Sequence, residues 1–157
     1  MFTPLVIRLA QAEWFTGRVS SVSLFYHAFP RANAQRDRLR KKFMELCQED
    51  TPMIRRACAS KIGEFSTQLT QNDELKELLP IFRQLSHDDQ DAIRVLCLES
   101  LIPMAQHMTQ EQNRVHTMQQ LLSAGEDKSW KVRLCFARNF AHFTKAFGKE
   151  ITDHNLI

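Results

Sequence analysis

Three arginines constrain this chain more than any other feature. Each follows an Ile or Val, and each lies six residues after an acid: Glu49 before Ile54-Arg55, Asp88 before Ile93-Arg94, and Asp127 before Val132-Arg133. Arg55, Arg94 and Arg133 are separated by 39 residues in both intervals. The same local grammar at a fixed period marks a repeat architecture, built by stacking one supersecondary unit on copies of itself.

The flanking positions keep the same register. Phe43, Phe82 and Leu121 share a column, as do Leu46, Leu85 and Ala124. After the arginine, Ala57, Leu96 and Cys135 align, then Cys58, Cys97 and Phe136, then Ile62, Leu101 and Phe140. One apolar face at spacings of three and four precedes the acid, and a second follows the arginine. This predicts two amphipathic helices per unit, joined by a short turn. The expected pairs are 3–11 with 15–28, 35–47 with 52–68, 73–86 with 91–106, and 110–124 with 130–146. The units then run 1–30, 31–69, 70–108 and 109–148, with 149–157 opening another. Thr51-Pro52 reads as an N-cap with proline at the first helical position, and Ser129 reads as an N-cap too. Thr109 and Gln112 have capping-box spacing. Pro80 and Pro103 fall inside helical patterns and are expected to bend or shorten them. The first unit is less regular: Arg18 lies 37 residues before Arg55, and Ala12 stands where an acid is expected.

Only four glycines and five prolines leave little turn chemistry for a β fold, so composition agrees with an all-α chain. A unit of this size cannot bury both apolar faces alone, so neighbours stack into an α-solenoid with one continuous core. No apolar run approaches the roughly 20 residues of a membrane span, and no membrane partner is expected. The opening MFTPLVIRLAQAEWF lacks the pattern of a secretory signal, which leads us to expect a cytoplasmic, or also nuclear, location. Cys47, Cys58, Cys97 and Cys135 sit in apolar stretches with no C-x-x-C spacing. They read as buried reduced thiols rather than metal ligands. No hydrolase, zinc-protease or nucleotide-binding motif is present, so neither catalysis nor a cofactor is expected.

The acid-x4-[IV]-R grammar and its period resemble the HEAT repeat. That resemblance implies stacked antiparallel helix pairs in a right-handed superhelix. It also implies that the turn acid and the second-helix arginine bond between adjacent units, making Asp88, Asp127, Arg55, Arg94 and Arg133 a structural ladder. Longer segments narrow the family. DTPMIRRACASKIGEF, HDDQDAIRVLCLESL and EDKSWKVRLCFARNF are similar to consecutive units of the scaffolding A subunits of protein phosphatase 2A. RLAQAEWFTGR and FGKEIT resemble the flanking segments, so the similarity runs across essentially the whole chain.

What the family implies is a non-catalytic scaffold whose turns face a regulatory B-type subunit. The contact role carries over onto Pro52, Arg55 and Arg56 in one turn, and onto Ser129, Trp130 and Lys131 in another. The catalytic subunit would dock only on later repeats, outside what reads as an internal, N-terminal-half segment. Lys131 stands where the family more usually has arginine, which keeps the charge but not a planar bidentate contact. Trp130 has a rival reading as a packing residue on the neighbouring turn, and Trp14 reads as core.

Two other functions stay open at this point. An importin-like HEAT adaptor would keep the fold and change the partner. Nucleic-acid binding is suggested by RDRLRKK at 36–42, where Leu39 and Phe43 take the buried stripe. Arg36, Arg38, Arg40, Lys41 and Lys42 would then simply solvate the outer face. With no interleaved aromatics to stack bases and a net charge of only +3, nucleic acid is not the expected partner.

Overall fold

A computed structural model describes residues 2–70 and 72–148. Every regular element among them is helical: α1 (Phe2–Ala10), α2 (Phe15–Ala28), α3 (Arg36–Cys47), α4 (Pro52–Ser66), α5 (Asn72–Ser86), α6 (Asp91–His107), α7 (Gln110–His116), α8 (Met118–Gly125) and α9 (Trp130–Phe147). Two 3-10 turns, Phe29–Arg31 and Asn33–Gln35, link the first two units. The second helices α2, α4, α6 and α9 pack on one another in series. The first helices α1, α3, α5 and α7–α8 form the other layer. Between the layers runs one core, in which Ile54, Ile93 and Val132 are buried at equivalent positions, as are Phe43, Phe82 and Leu121. All four cysteines are free and buried. Burial pushes the thiols of Cys97 and Cys135 up, away from a reactive thiolate.

The first helix of unit 4 departs from expectation. It breaks at Thr117 into α7 and α8 rather than running from 110 to 124. Thr117 occupies the column of the buried Leu39 and Leu78, so its hydroxyl must find partners inside the protein. It donates to the Asn113 carbonyl at 3.0 Å and approaches the Asn113 side-chain oxygen at 3.2 Å. The Asn113 amide in turn donates to the Ala105 carbonyl at 2.7 Å. Satisfying two buried polar side chains turns the backbone out of the helical region at Thr117, where φ is −125°.

The two internal prolines do not shorten their helices, since α5 and α6 run through Pro80 and Pro103. Pro80 is exposed, so water can satisfy the carbonyl left without a donor. Pro103 lines a close crossing of α4 and α6. There Gly63 of α4 lies so near α6 that a Cβ would stand 2.2 Å from the Ser100 carbonyl oxygen and 2.8 Å from Pro103 Cγ. Beside it the Ser100 hydroxyl donates to the Ala59 carbonyl at 2.6 Å. Gly63→Ala should therefore lower stability by about 2 kcal/mol, the overpacking penalty exceeding the helix-propensity gain of roughly 1 kcal/mol. A urea unfolding midpoint at or above that of the wild type would show that the crossing can widen freely.

The basic stretch of α3 is less solvated than its composition suggests. Arg38 and Lys41 are exposed, but Arg40 is buried and pairs with Glu74 at 3.2 Å and Glu77 at 3.1 Å. Arg36 lies over the Phe29 ring at 4.2 Å and pairs with Glu74 at 3.3 Å. Two of the five cations thus clamp unit 2 onto unit 3.

Candidate functional site

Each unit turns from its first to its second helix in the same way, and the arginine is what closes the turn. Arg55 Nη1 donates to the carbonyls of Glu49 and Asp50, both at 2.8 Å. Arg18, Arg94 and Arg133 repeat the pattern on Ala12 and Glu13, on Asp88 and Asp89, and on Asp127 and Lys128. These carbonyls lie at the turn, where the helical ladder cannot serve them.

The opposite edge of the guanidinium faces the next unit. Arg18 Nε meets Glu49 at 3.2 Å, and Arg55 Nε donates to Asp88 Oδ2 at 2.7 Å. Arg94 makes a forked pair to Asp127 with both distances at 2.8 Å. The acids also organise their own turns: Asp88 Oδ1 accepts from the Gln90 amide at 3.0 Å, and Asp127 Oδ1 from the Ser129 amide at 2.8 Å. The Arg94 bond, helped by the Ser129 amide, holds the Asp127 carboxyl below the usual carboxylate range. Asp88 likewise raises the pKa of Arg55. Among the described residues Arg133 bonds only its own turn, with no acid from a following unit.

A further rung joins units 3 and 4 and carries no sequence signature. Asp91, at the first turn of α6, accepts from the Ser129 hydroxyl at 2.9 Å and pairs with Lys131 at 3.3 Å. The Ser129 hydroxyl, with Lys131 second, keeps the Asp91 carboxyl low. Ser129 also caps α9 by accepting from the Lys131 amide at 3.3 Å. Thr51, by contrast, makes no side-chain capping bond, and the Ile54 and Arg55 amides use its carbonyl instead.

These turns line up the starts of the second helices as a ridge. Trp130 is 62% exposed and is held between Ser129 and Lys131, both of them anchored to Asp91. Pro52 and Arg55 are half-buried, while Arg56 is exposed and Met53 beside them is 57% exposed. Arg55 is committed to the ladder, so of the basic pair only Arg56 is presented outward. Trp14 corrects the sequence reading: it is not core but 76% exposed. It sits at the N-cap of α2, four residues before Arg18, just as Thr51, Gln90 and Ser129 precede their arginines. With Phe15 it adds an aromatic pair to the ridge. Counting four residues back from Arg18 finds this column.

No group of three His, Cys, Asp or Glu side chains among the described residues could hold a metal ion. No described helix is long and apolar enough to cross a membrane. What the arrangement offers is a rigid series of turns with large side chains exposed at fixed intervals.

No family model matches the chain. It is 35% identical over 153 residues to the PP2A regulatory A-type subunit of Schizosaccharomyces pombe, a match that covers 96% of this chain and 26% of that protein. It is 45% identical over 82 residues to the protein phosphatase 2A scaffold subunit of Dictyostelium discoideum, or 52% of this chain and 14% of that protein. The beta isoform of the human 65 kDa regulatory A-type subunit of serine/threonine-protein phosphatase 2A is 54% identical over 66 residues, or 41% and 11% of the two chains. The chain thus spans about a quarter or less of the length of the curated relatives it matches. With the same relationship recurring from yeast to human, and with the helical repeat laid out above, the chain belongs to the family of regulatory, or scaffolding, A-type subunits of protein phosphatase 2A.

Proposed function

We propose that this chain acts as a non-catalytic part of a protein phosphatase 2A scaffold, presenting its ridge of turns to a regulatory B-type subunit. The observation that carries this reading is the exposure of Trp130 on a turn fixed from both sides by Asp91. A large indole left in solvent on a preorganised backbone suits an interface anchor, since it loses little ordering entropy on binding. Trp14 and Phe15, and Pro52 with Met53 and Arg56, extend the same surface. The names of the relatives support a scaffold in a phosphatase complex. A catalytic subunit would be reached through repeats outside this chain, and the rigid units would set its position relative to the regulatory subunit.

The test is binding of a purified regulatory B-type subunit to immobilised wild-type and Trp130→Ala chains. Trp130→Ala should weaken binding by about 2 kcal/mol, near thirtyfold in affinity, with an unchanged far-ultraviolet circular dichroism spectrum. Equal affinity of the two folded chains would remove Trp130 from the interface.

A further inference from the structure

The joint between units 3 and 4 contains a cavity of about 330 Å³, at the small end of the range of ligand pockets. Its floor is apolar, formed by Phe82, Cys97, Leu98, Leu101 and Val132. Its mouth lies between the turns, beside His87 and Lys128, and the Arg94–Asp127 pair borders it.

The repeat supplies its own control. At the joint between units 2 and 3 the equivalent opening is lined by polar turn residues and by Leu85, and it reaches none of the second-helix core. Leu46, Leu85 and Ala124 share one column. Where Leu85 closes the earlier joint with an isobutyl group, Ala124 leaves a methyl, and the space deepens to Cys97 and Leu101. A second difference lies one helical turn earlier. Ile81 is a buried apolar residue, whereas its counterpart is Gln120, only 7% exposed. Gln120 lines the cavity, and its side-chain oxygen Oε1 has no hydrogen-bond partner. An amide oxygen buried without a donor is unfavourable, and a molecule that brings one relieves that penalty. The carboxylates and the guanidinium that line it are already committed, Asp127 to Arg94 and Asp88 to Arg55, and Lys128 stands at the mouth, so the floor itself offers an ionic ligand no counter-charge.

We propose that this joint binds a compact, neutral, largely apolar molecule carrying one hydrogen-bond donor, of the class of aromatic alcohols or amines. The ring would lie against Phe82 and Leu101, with the donor on Gln120 Oε1. Such a ligand bridges units 3 and 4 next to their strongest rung and so stiffens that joint. The proposal does not depend on the phosphatase reading.

The experiment is a nuclear magnetic resonance titration of the whole chain with phenol, and with toluene as the donor-free control. Saturable phenol shifts are expected at the Leu101 and Val132 methyls and at the Gln120 amide. Gln120→Leu should weaken phenol about tenfold, the loss of one hydrogen bond to a buried acceptor, while toluene binds at least as well. Ala124→Leu, which places in unit 4 the residue found in units 2 and 3, should abolish binding of both probes and raise the melting temperature. Absence of saturable phenol shifts at the cavity overturns the proposal, as does unchanged phenol affinity in a folded Ala124→Leu chain. Should Ala124→Leu not fold, unchanged phenol affinity in Gln120→Leu overturns it alone.

Discussion

Phe65→Ala is expected to lower stability by about 4 kcal/mol, the usual scale for emptying a fully buried aromatic site. Phe65 is 1% exposed and touches rings from three other elements. It stacks on Phe43 of α3 with centroids 4.2 Å apart and planes at 27°. It meets Phe29 edge-on at 5.2 Å and Phe25 of α2 at 6.4 Å. Phe25 and Phe43 also contact each other at 5.4 Å, so the four rings form one cluster across units 1 and 2. Removing the central ring leaves a cavity that rigid helices cannot fill, and it forfeits aromatic pair contacts beyond the buried area. Because a solenoid's stability resides in units and nearest-neighbour joints, the damage should be local. Amide hydrogen exchange should lose protection across α2, α3 and α4 while α8 and α9 keep theirs. A loss below about 1.5 kcal/mol in urea unfolding, or protection falling evenly along the chain, would show that the cluster is not the keystone of the first joint.

The parts of this architecture that were visible in the sequence are those the 39-residue period copies. Ile54, Ile93 and Val132 are buried because each unit needs the same side chain at the same place, and repetition makes the column conspicuous. The arginine columns are visible for the same reason. What stayed hidden depends on partners supplied by the fold. Nothing near Thr117 announces a break, since it goes with two buried side chains, Thr117 on Asn113 and Asn113 on the Ala105 carbonyl, that find their partners only in the fold. The basic run of α3 looked solvated because Glu74 and Glu77, its partners, arrive from the next unit. Trp14 looked like core because it stands before the irregular second helix of the first unit, where a large apolar side chain gives no sign of which way it faces. The Asp91 rung is a contact between two helix starts with no shared motif, so it emerges only once the units stack. The contact roles of Pro52, Arg56 and Trp130 rest on family resemblance, to which the structure adds the exposure of Arg56 and Trp130 and the anchored turn that carries Trp130.

Arg94→Ala is expected to lower stability by about 3 kcal/mol, the low end for breaking a buried ion pair. The side chain is 6% exposed against 14% for Asp127, so neither charge is well solvated once the other is gone. Four hydrogen bonds are lost together, two to Asp127 and two that close the turn at Asp88 and Asp89. The low end applies because those groups sit near the surface and water can partly replace the guanidinium. Arg94→Lys should recover less than half of the loss, since an ammonium cannot fork to a carboxylate and serve two carbonyls at once. The same reasoning ranks the rungs. Arg55 has one short bond to Asp88 and a second at 3.5 Å, and Arg18 has a single 3.2 Å contact, so their alanine variants should lose progressively less. Acid gives an independent check. Asp127 has its pKa lowered on folding, so its contribution is complete above the unfolded carboxylate value near 4 and fades as pH falls through the folded value. Arg94, whose pKa is raised, stays charged throughout. The stability gap between wild type and Arg94→Ala should therefore be flat from pH 7 down to about 5 and narrow below about 4. What remains at the lowest pH measures the turn-closing bonds alone, because they need the guanidinium but not the carboxylate. A gap that stays constant to about pH 2 would assign the whole effect to the turn and none to the joint between units.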